Sequence, residues 1–189
     1  MSRRSIATVA AIGFSLGGMI NRRLAMDHPD RVWALGILNS PYERGKAQQA
    51  LVEQRAKDTG AGGAAATIEV TLARWFTPDF MAAHAQAVDQ VRQGVLANDP
   101  EAYLACRWVL AHGVRELIRP NPPITTPSLV MTCENDSGST PAMSEAIASE
   151  ISGAVCEIVH GLQHMGLVER PDLFNAPPLA FLAQHARRA

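Results

Sequence analysis

Three side chains suited to nucleophilic chemistry fall at equivalent places along the chain, each just past an apolar, strand-like run. Ser15 stands in Gly13-Phe14-Ser15-Leu16-Gly17-Gly18, after the run 6–12 that begins at Ile6 and ends at Ile12. Asp136 stands in Glu134-Asn135-Asp136-Ser137-Gly138, after the run 128–132. His164 stands in Gly161-Leu162-Gln163-His164-Met165-Gly166, after the run 155–159. A serine hydroxyl is a weak nucleophile until a base takes its proton, and the base needs an acidic group to orient it. The carboxyl ends of parallel strands share one rim, so all three side chains can converge there.

The local spelling around Ser15 fits that chemistry. A serine between glycines at a strand-to-helix junction reads as a tight turn that throws Oγ clear of the strand end. Gly13 and Gly17 are expected to let strand and helix pass close together. The helix behind the serine favours developing negative charge at its N-terminus. Each partner has a rival or a plainer role. Asp136 could cap the helix starting near Thr140-Pro141, and Glu134 is a second acid, closer to its strand. His160 is a second base candidate, though it ends its strand. His28 reads as a helix-end residue, and His84, His112 and His185 lie on helices away from the rim.

Four strand-like runs position these residues: 6–12, 32–39, 128–132 and 155–159. The second and third are nearly continuous in apolar residues, as strands buried on both faces should be. Helical stretches at 17–27 and 141–152 join the first and last pairs, the latter with Met143, Ile147 and Ile151 four apart. Strand, helix, strand at this spacing predicts an α/β fold: a mostly parallel sheet of about four strands with right-handed crossovers. Between the second and third strands lie roughly 85 residues without strand character. Helical signals run through 48–56, 65–75, 79–96, 100–110 and 114–118, and the segment 60–63 punctuates them. The predicted organisation is a core of residues 1–41 and 123–189 with a helical insertion at 42–122. A final helix is expected at about 171–185.

Composition narrows the function classes. The chain has 189 residues, 47% hydrophobic and 19% charged, with formal net charge −1 and no long basic run. Nucleic-acid binding therefore has no electrostatic support. No apolar stretch approaches the 18 or so residues of a membrane span. Cys106, Cys133 and Cys156 are odd in number and widely spaced, which reads as small buried residues in a reducing cytoplasm.

Taken together, these residues resemble the α/β-hydrolase superfamily, and within it the group containing 3-oxoadipate enol-lactonase. The matching stretches are residues 13–18, His28-Pro29-Asp30-Arg31-Val32, Leu38-Asn39-Ser40, Asp136 with Thr140-Pro141, and His164 with Glu169-Arg170-Pro171. The resemblance implies a serine hydrolase acting on a small-molecule ester or lactone, without cofactor or metal. Ser15 would be the nucleophile, Asp136 the orienting acid, His164 the base, and the Leu16 backbone N–H an oxyanion donor. The insertion would be a cap over the pocket, with Phe14, Trp75 and Trp108 as candidate substrate contacts. Serine at the elbow argues against dehalogenases and epoxide hydrolases, which attack through a carboxylate. A C–C hydrolase, a cofactor-free haloperoxidase and a non-catalytic truncated homologue share the same residues. The family carries four further strands before the elbow strand, with a His-Gly loop that completes the oxyanion hole. Nothing before Ile6 can be that loop. The elbow strand is therefore expected to be a sheet edge, prone to self-association along Ile6 to Ile12.

Overall fold

The computed structural model describes residues 8–186, with the backbone alone for residues 58–62. Four strands, β1 (Val9–Phe14), β2 (Val32–Leu38), β3 (Ser128–Cys133) and β4 (Val155–Val159), form one sheet in that order. All three pairings are parallel, with Phe14 opposite Leu38, Leu38 opposite Met131, and Cys133 opposite Val159. Helix α1 (Leu16–Asp27) connects β1 to β2, and α7 (Pro141–Ser149) connects β3 to β4.

Side-chain alternation divides the core between the two faces of the sheet. Leu35, Ile37 and Val130 pack with Ala25 of α1 and Ile147 of α7 on one face. Ala34, Leu129, Met131 and Cys133 pack on the other with Phe174 and Phe181 of α9 (Pro171–His185), which follows the short α8 (Gly166–Glu169). Both faces being covered explains why β2 and β3 read as unbroken apolar runs.

Between β2 and β3 the chain is helical: α2 (Gly45–Gly62), α3 (Ile68–Trp75), α4 (Pro78–Ala83), α5 (Ala85–Leu96) and α6 (Pro100–His112). Pro at the first position and a side-chain cap start α4 and α6. Thr77 accepts from Phe80 N, and Asp99 accepts from Ala102 N. The one helix expected over 79–96 is two, broken at His84, whose backbone ends α4 and begins α5. The stretch 114–118 falls in a 3₁₀ turn, Gly113–Leu117. α2 ends at Gly62, inside the glycine-rich segment 60–63 expected to punctuate the helices, and Gly63 follows at φ 64°.

Two expectations need correction at the chain's first strand and its cysteines. β1 begins at Val9 and runs through Gly13 and Phe14, because its ladder with β2 continues to the turn itself. Ile6 and Ala7 lie outside the described residues. Ile12 is 43% exposed over Gly36 on the α9 side of the sheet, since α9 packs against β2 and the strands beyond it. Cys133 is buried as expected, but Cys106 is exposed; all three thiols are free. Among the described residues no helix is long and apolar enough to cross a membrane.

Candidate active site

The turn between β1 and α1 holds Ser15 at φ 54°, ψ −114°, a left-handed backbone that a residue with a Cβ adopts only under strain. Its N–H donates to Leu38 O at 2.7 Å, so the ladder with β2 fixes the turn from below. A Cβ on Gly13 would lie 2.3 Å from the carbonyl carbon of Gly17. The close approach therefore depends on Gly13. Gly17, expected to share that role, faces open space; the second tight glycine is Gly18, whose Cβ would meet Ser40 Cβ at 2.7 Å. Leu16 is the first residue of α1, and its N–H belongs to the first turn, where helix donors lack intrahelical acceptors.

β3 and β4 deliver the other two side chains to the same rim. Ser15 Oγ is 3.2 Å from His164 Nε2, and His164 Nδ1 donates to Asp136 Oδ2 at 2.7 Å. His164 and Asp136 are both buried. Asp136 Oδ1 accepts from the Gly138 and Ser139 N–H groups at 2.8 and 2.9 Å, while Oδ2 also accepts from Asn39 Nδ2 at 2.9 Å. Burial pushes the Asp136 carboxyl up. The His164 hydrogen bond and charge, the Asn39 amide and the Ser139 N–H outweigh it and leave the carboxyl below its ordinary value. Such a carboxylate stays ionised, fixes the imidazole tautomer with Nε2 free to accept, and lets Nε2 take a proton from Ser15.

The rivals fall away from this chain of bonds. Thr140, not Asp136, caps α7 through Met143 N. Glu134 accepts from Gly161 N at 2.9 Å and lies 3.5 Å from an exposed His160. That pair shapes the turn after β4 and does not reach Ser15.

Asn39 is the site residue that residue-type reasoning missed. It directly follows β2, is fully buried, has φ 46°, and donates its backbone N–H to Met131 O at 2.7 Å. An asparagine closing a buried strand, at a rim where acids gather, was the available signal, since Asn tolerates left-handed backbone better than most residues.

The helical segment is tied directly to the histidine loop. Met165 N donates to Trp75 O at 2.8 Å, and Thr77 donates through N and Oγ1 to Glu169 at 2.8 and 2.6 Å. Trp75 lies 5.9 Å and Phe14 4.9 Å, centroid to centroid, from the His164 ring. A cleft of about 120 Å³ opens over Ser15 and His164, walled by Trp75, Pro41, Val52, Leu110 and four arginines: Arg44, Arg55, Arg74 and Arg107. Of the three aromatic residues expected in the pocket, Trp75 lines it and Phe14 packs beside the imidazole without lining it. Trp108 does neither. It is 60% exposed and stacks on His112 at the outer side of α6. With 3.6 residues per turn its neighbour Arg107 points inward instead.

A strained serine turn opening a helix from a parallel sheet, with acid and histidine at the next strand ends, defines an α/β-hydrolase architecture. The comparisons agree. Residues 3–176 match the family described as "Alpha/beta hydrolase family", and the chain belongs to that family. It is 27% identical over 164 residues to 3-oxoadipate enol-lactonase 2 of Acinetobacter baylyi, covering 86% of this chain and 59% of that protein. It is 25% identical over 178 residues to the (E)-2-((N-methylformamido)methylene)succinate hydrolase of the same organism, covering 94% of this chain and 66% of that one. Among solved structures, the enol-lactonase from Burkholderia xenovorans LB400 superposes with a TM-score of 0.80 at 27% identity, over 94% of this chain and 66% of that one. The chain thus spans between 59% and 66% of the length of these relatives.

Proposed function

We propose that this chain carries the nucleophile, base and acid of a serine hydrolase acting on a small ester or lactone. The observation behind this reading is the unbroken hydrogen-bonded chain Ser15–His164–Asp136 at the rim of the sheet. In this scheme Ser15 Oγ attacks the substrate carbonyl carbon while His164 Nε2 takes its proton. The carbonyl oxygen becomes an oxyanion facing the Leu16 N–H. The imidazolium, held by Asp136, then protonates the leaving alkoxide and the ester C–O bond breaks. Water repeats the sequence on the acyl-enzyme and releases the acid. One well-placed oxyanion donor contributes on the order of 2.7–4 kcal/mol to the transition state. The helical segment over the cleft acts as its cap. The enol-lactonase relatives support a lactone or ester substrate, and the small cleft suits a short acyl group. Three free cysteines fit a reducing, cytoplasmic setting.

The test is covalent labelling. A fluorophosphonate probe should modify Ser15, shown by mass mapping, and Ser15→Ala should abolish it. Labelling that persists in Ser15→Ala would remove Ser15 from the role.

A further inference from the structure

The stretch Glu169-Arg170-Pro171, part of the hydrolase pattern in the sequence, has no role in the hydrolytic scheme. Glu169 ends α8, just beyond His164. Its carboxylate accepts from Thr77 N at 2.8 Å and from Thr77 Oγ1 at 2.6 Å. Thr77 is the N-cap of α4, and its Oγ1 accepts in turn from Phe80 N at 3.3 Å. The end of α3 is held from the same loop. Met165 N donates to Trp75 O at 2.8 Å. With its amide nitrogen turned inward, Gln163 donates to Phe76 O and, at 3.3 Å, to Ala73 O. The last carbonyls of a helix and its first N–H groups have no intrahelical partner. Here the residues on either side of His164 close the end of α3, and the glutamate after them closes the start of α4. The opposite side of the loop is fixed by the sheet. Gly166 lies so near Cys133 that a Cβ would stand 2.6 Å from Sγ, and Asn135 N donates to Leu162 O at 3.0 Å.

We infer that Gln163, Thr77 and Glu169 are positioning residues for the base: the corner between α3 and α4 is a buttress that sets where His164 presents Nε2 to Ser15. The bond from Nδ1 to Asp136 fixes one point of the imidazole, and Phe14 and Trp75 flank its ring. Neither contact fixes how far the backbone of residues 163–165 stands from Ser15; the anchors at α3 and α4 do. Displacing a reacting group by about 1 Å can cost about 10²-fold in rate even when the cause is remote. Which reaction His164 serves rests on the serine-hydrolase reading; the placement of its imidazole does not.

Thr77→Val, Gln163→Leu and Glu169→Gln break these anchors one at a time. Thr77→Ser keeps the hydroxyl and is the conservative rescue. Asp99→Ala is the control, since it deletes the corresponding side-chain cap at the start of α6. The readouts are kcat and KM for p-nitrophenyl acetate and the imidazole nitrogen resonances of His164, assigned by their loss in His164→Gln. The three variants should lower kcat about tenfold to hundredfold, leave KM little changed, and move the His164 resonances. Thr77→Ser should return both readouts to those of the unsubstituted chain. Asp99→Ala should lower the melting temperature, as Thr77→Val does, but leave kcat and the resonances unchanged. A role confined to capping the helices predicts that Thr77→Val and Gln163→Leu behave like Asp99→Ala at temperatures below melting, and that result would overturn the proposal. Should Thr77→Val not fold, Gln163→Leu, which leaves the α4 cap in place, decides by the same readouts. If the unsubstituted chain neither hydrolyses the ester nor takes the fluorophosphonate label, the serine-hydrolase reading fails. The resonances still decide the positioning of His164, and resonances unmoved in all three variants overturn it.

Discussion

At the scale of single residues, the proposed scheme divides the site into groups that react and groups that hold them. If it holds, Ser15→Ala and His164→Ala each remove the nucleophile–base unit, and either should lower the rate of ester cleavage by about 10⁶. Asp136→Asn keeps the shape but presents the wrong hydrogen-bonding partner to Nδ1, so a loss of about 10⁴ is expected. Asp136 also links the site to pH. Its folded pKa lies below the ordinary value, so its contribution to stability is complete above the unfolded value of about 3.9 and is lost as pH falls below that toward the folded value. The melting-temperature gap between wild type and Asp136→Asn should be constant from neutrality to about pH 5 and should narrow below pH 4. A gap that stays constant to pH 2 would contradict the depressed carboxyl. The hydrogen-bonded trio Ser15, His164 and Asp136 was legible in the sequence because such residue types are few and each follows a strand. The residues that hold them were not. Asn39 is recognisable only once β2 is known to end beside Asp136, and the arginines of the cleft wall only once α2, α3 and α6 are folded over Ser15, which they line without bonding to the trio. Trp108 was misread because residue type favoured an aromatic contact, while helical phase gave that place to Arg107.

At the scale of elements, the β1–α1 crossing is the joint on which the site depends. Gly13→Ala would place a Cβ 2.3 Å from the Gly17 carbonyl carbon, against backbone that cannot rotate aside. Relief requires α1 to move away from β1, which costs about 1–3 kcal/mol or more and shifts Ser15 relative to His164. Gly17→Ala meets nothing within 4 Å, so it should melt close to wild type. Urea midpoints of the two variants check this, and equal midpoints would mean that the crossing is looser than its geometry. Strands and the α1, α7 and α9 helices were readable from apolar spacing, because each is constrained by the sheet. The helical segment between β2 and β3 was readable only as helical. Its glycine-rich end at 62 and its break near Gly113 fall where the sequence punctuates it, but the break at His84 follows from packing against neighbours, which local sequence does not encode.

At the scale of the whole molecule, the sheet has an open side. Among the described residues β1 pairs only with β2, although its position beside Ser15 makes it the strand on which the elbow is built. Its outer backbone groups have no strand partner, Ile12 is 43% exposed, and Ile20 on α1 is 56% exposed. Unpaired edge groups are templates for another strand, and each buried donor or acceptor left open costs about 1–3 kcal/mol against a total stability of about 5–15 kcal/mol. This chain on its own is therefore predicted to associate through β1. Size-exclusion chromatography with light scattering over a hundredfold range of concentration should show species larger than the monomer that grow with concentration. Ile12→Lys places a charge on the exposed face of that strand and should shift the distribution toward monomer without altering the Ser15–His164 contact, since Ile12 points toward Gly36 and away from the rim. A sharp, concentration-independent monomer in the unsubstituted chain would mean that β1 is satisfied in another way, whereas association of the unsubstituted chain that is unchanged in Ile12→Lys would move the interface elsewhere. The apolar groove formed by Met19, Ile20, Leu24, Val109 and Leu117 is the alternative contact, and Leu24→Glu would then disperse the oligomer where Ile12→Lys had not.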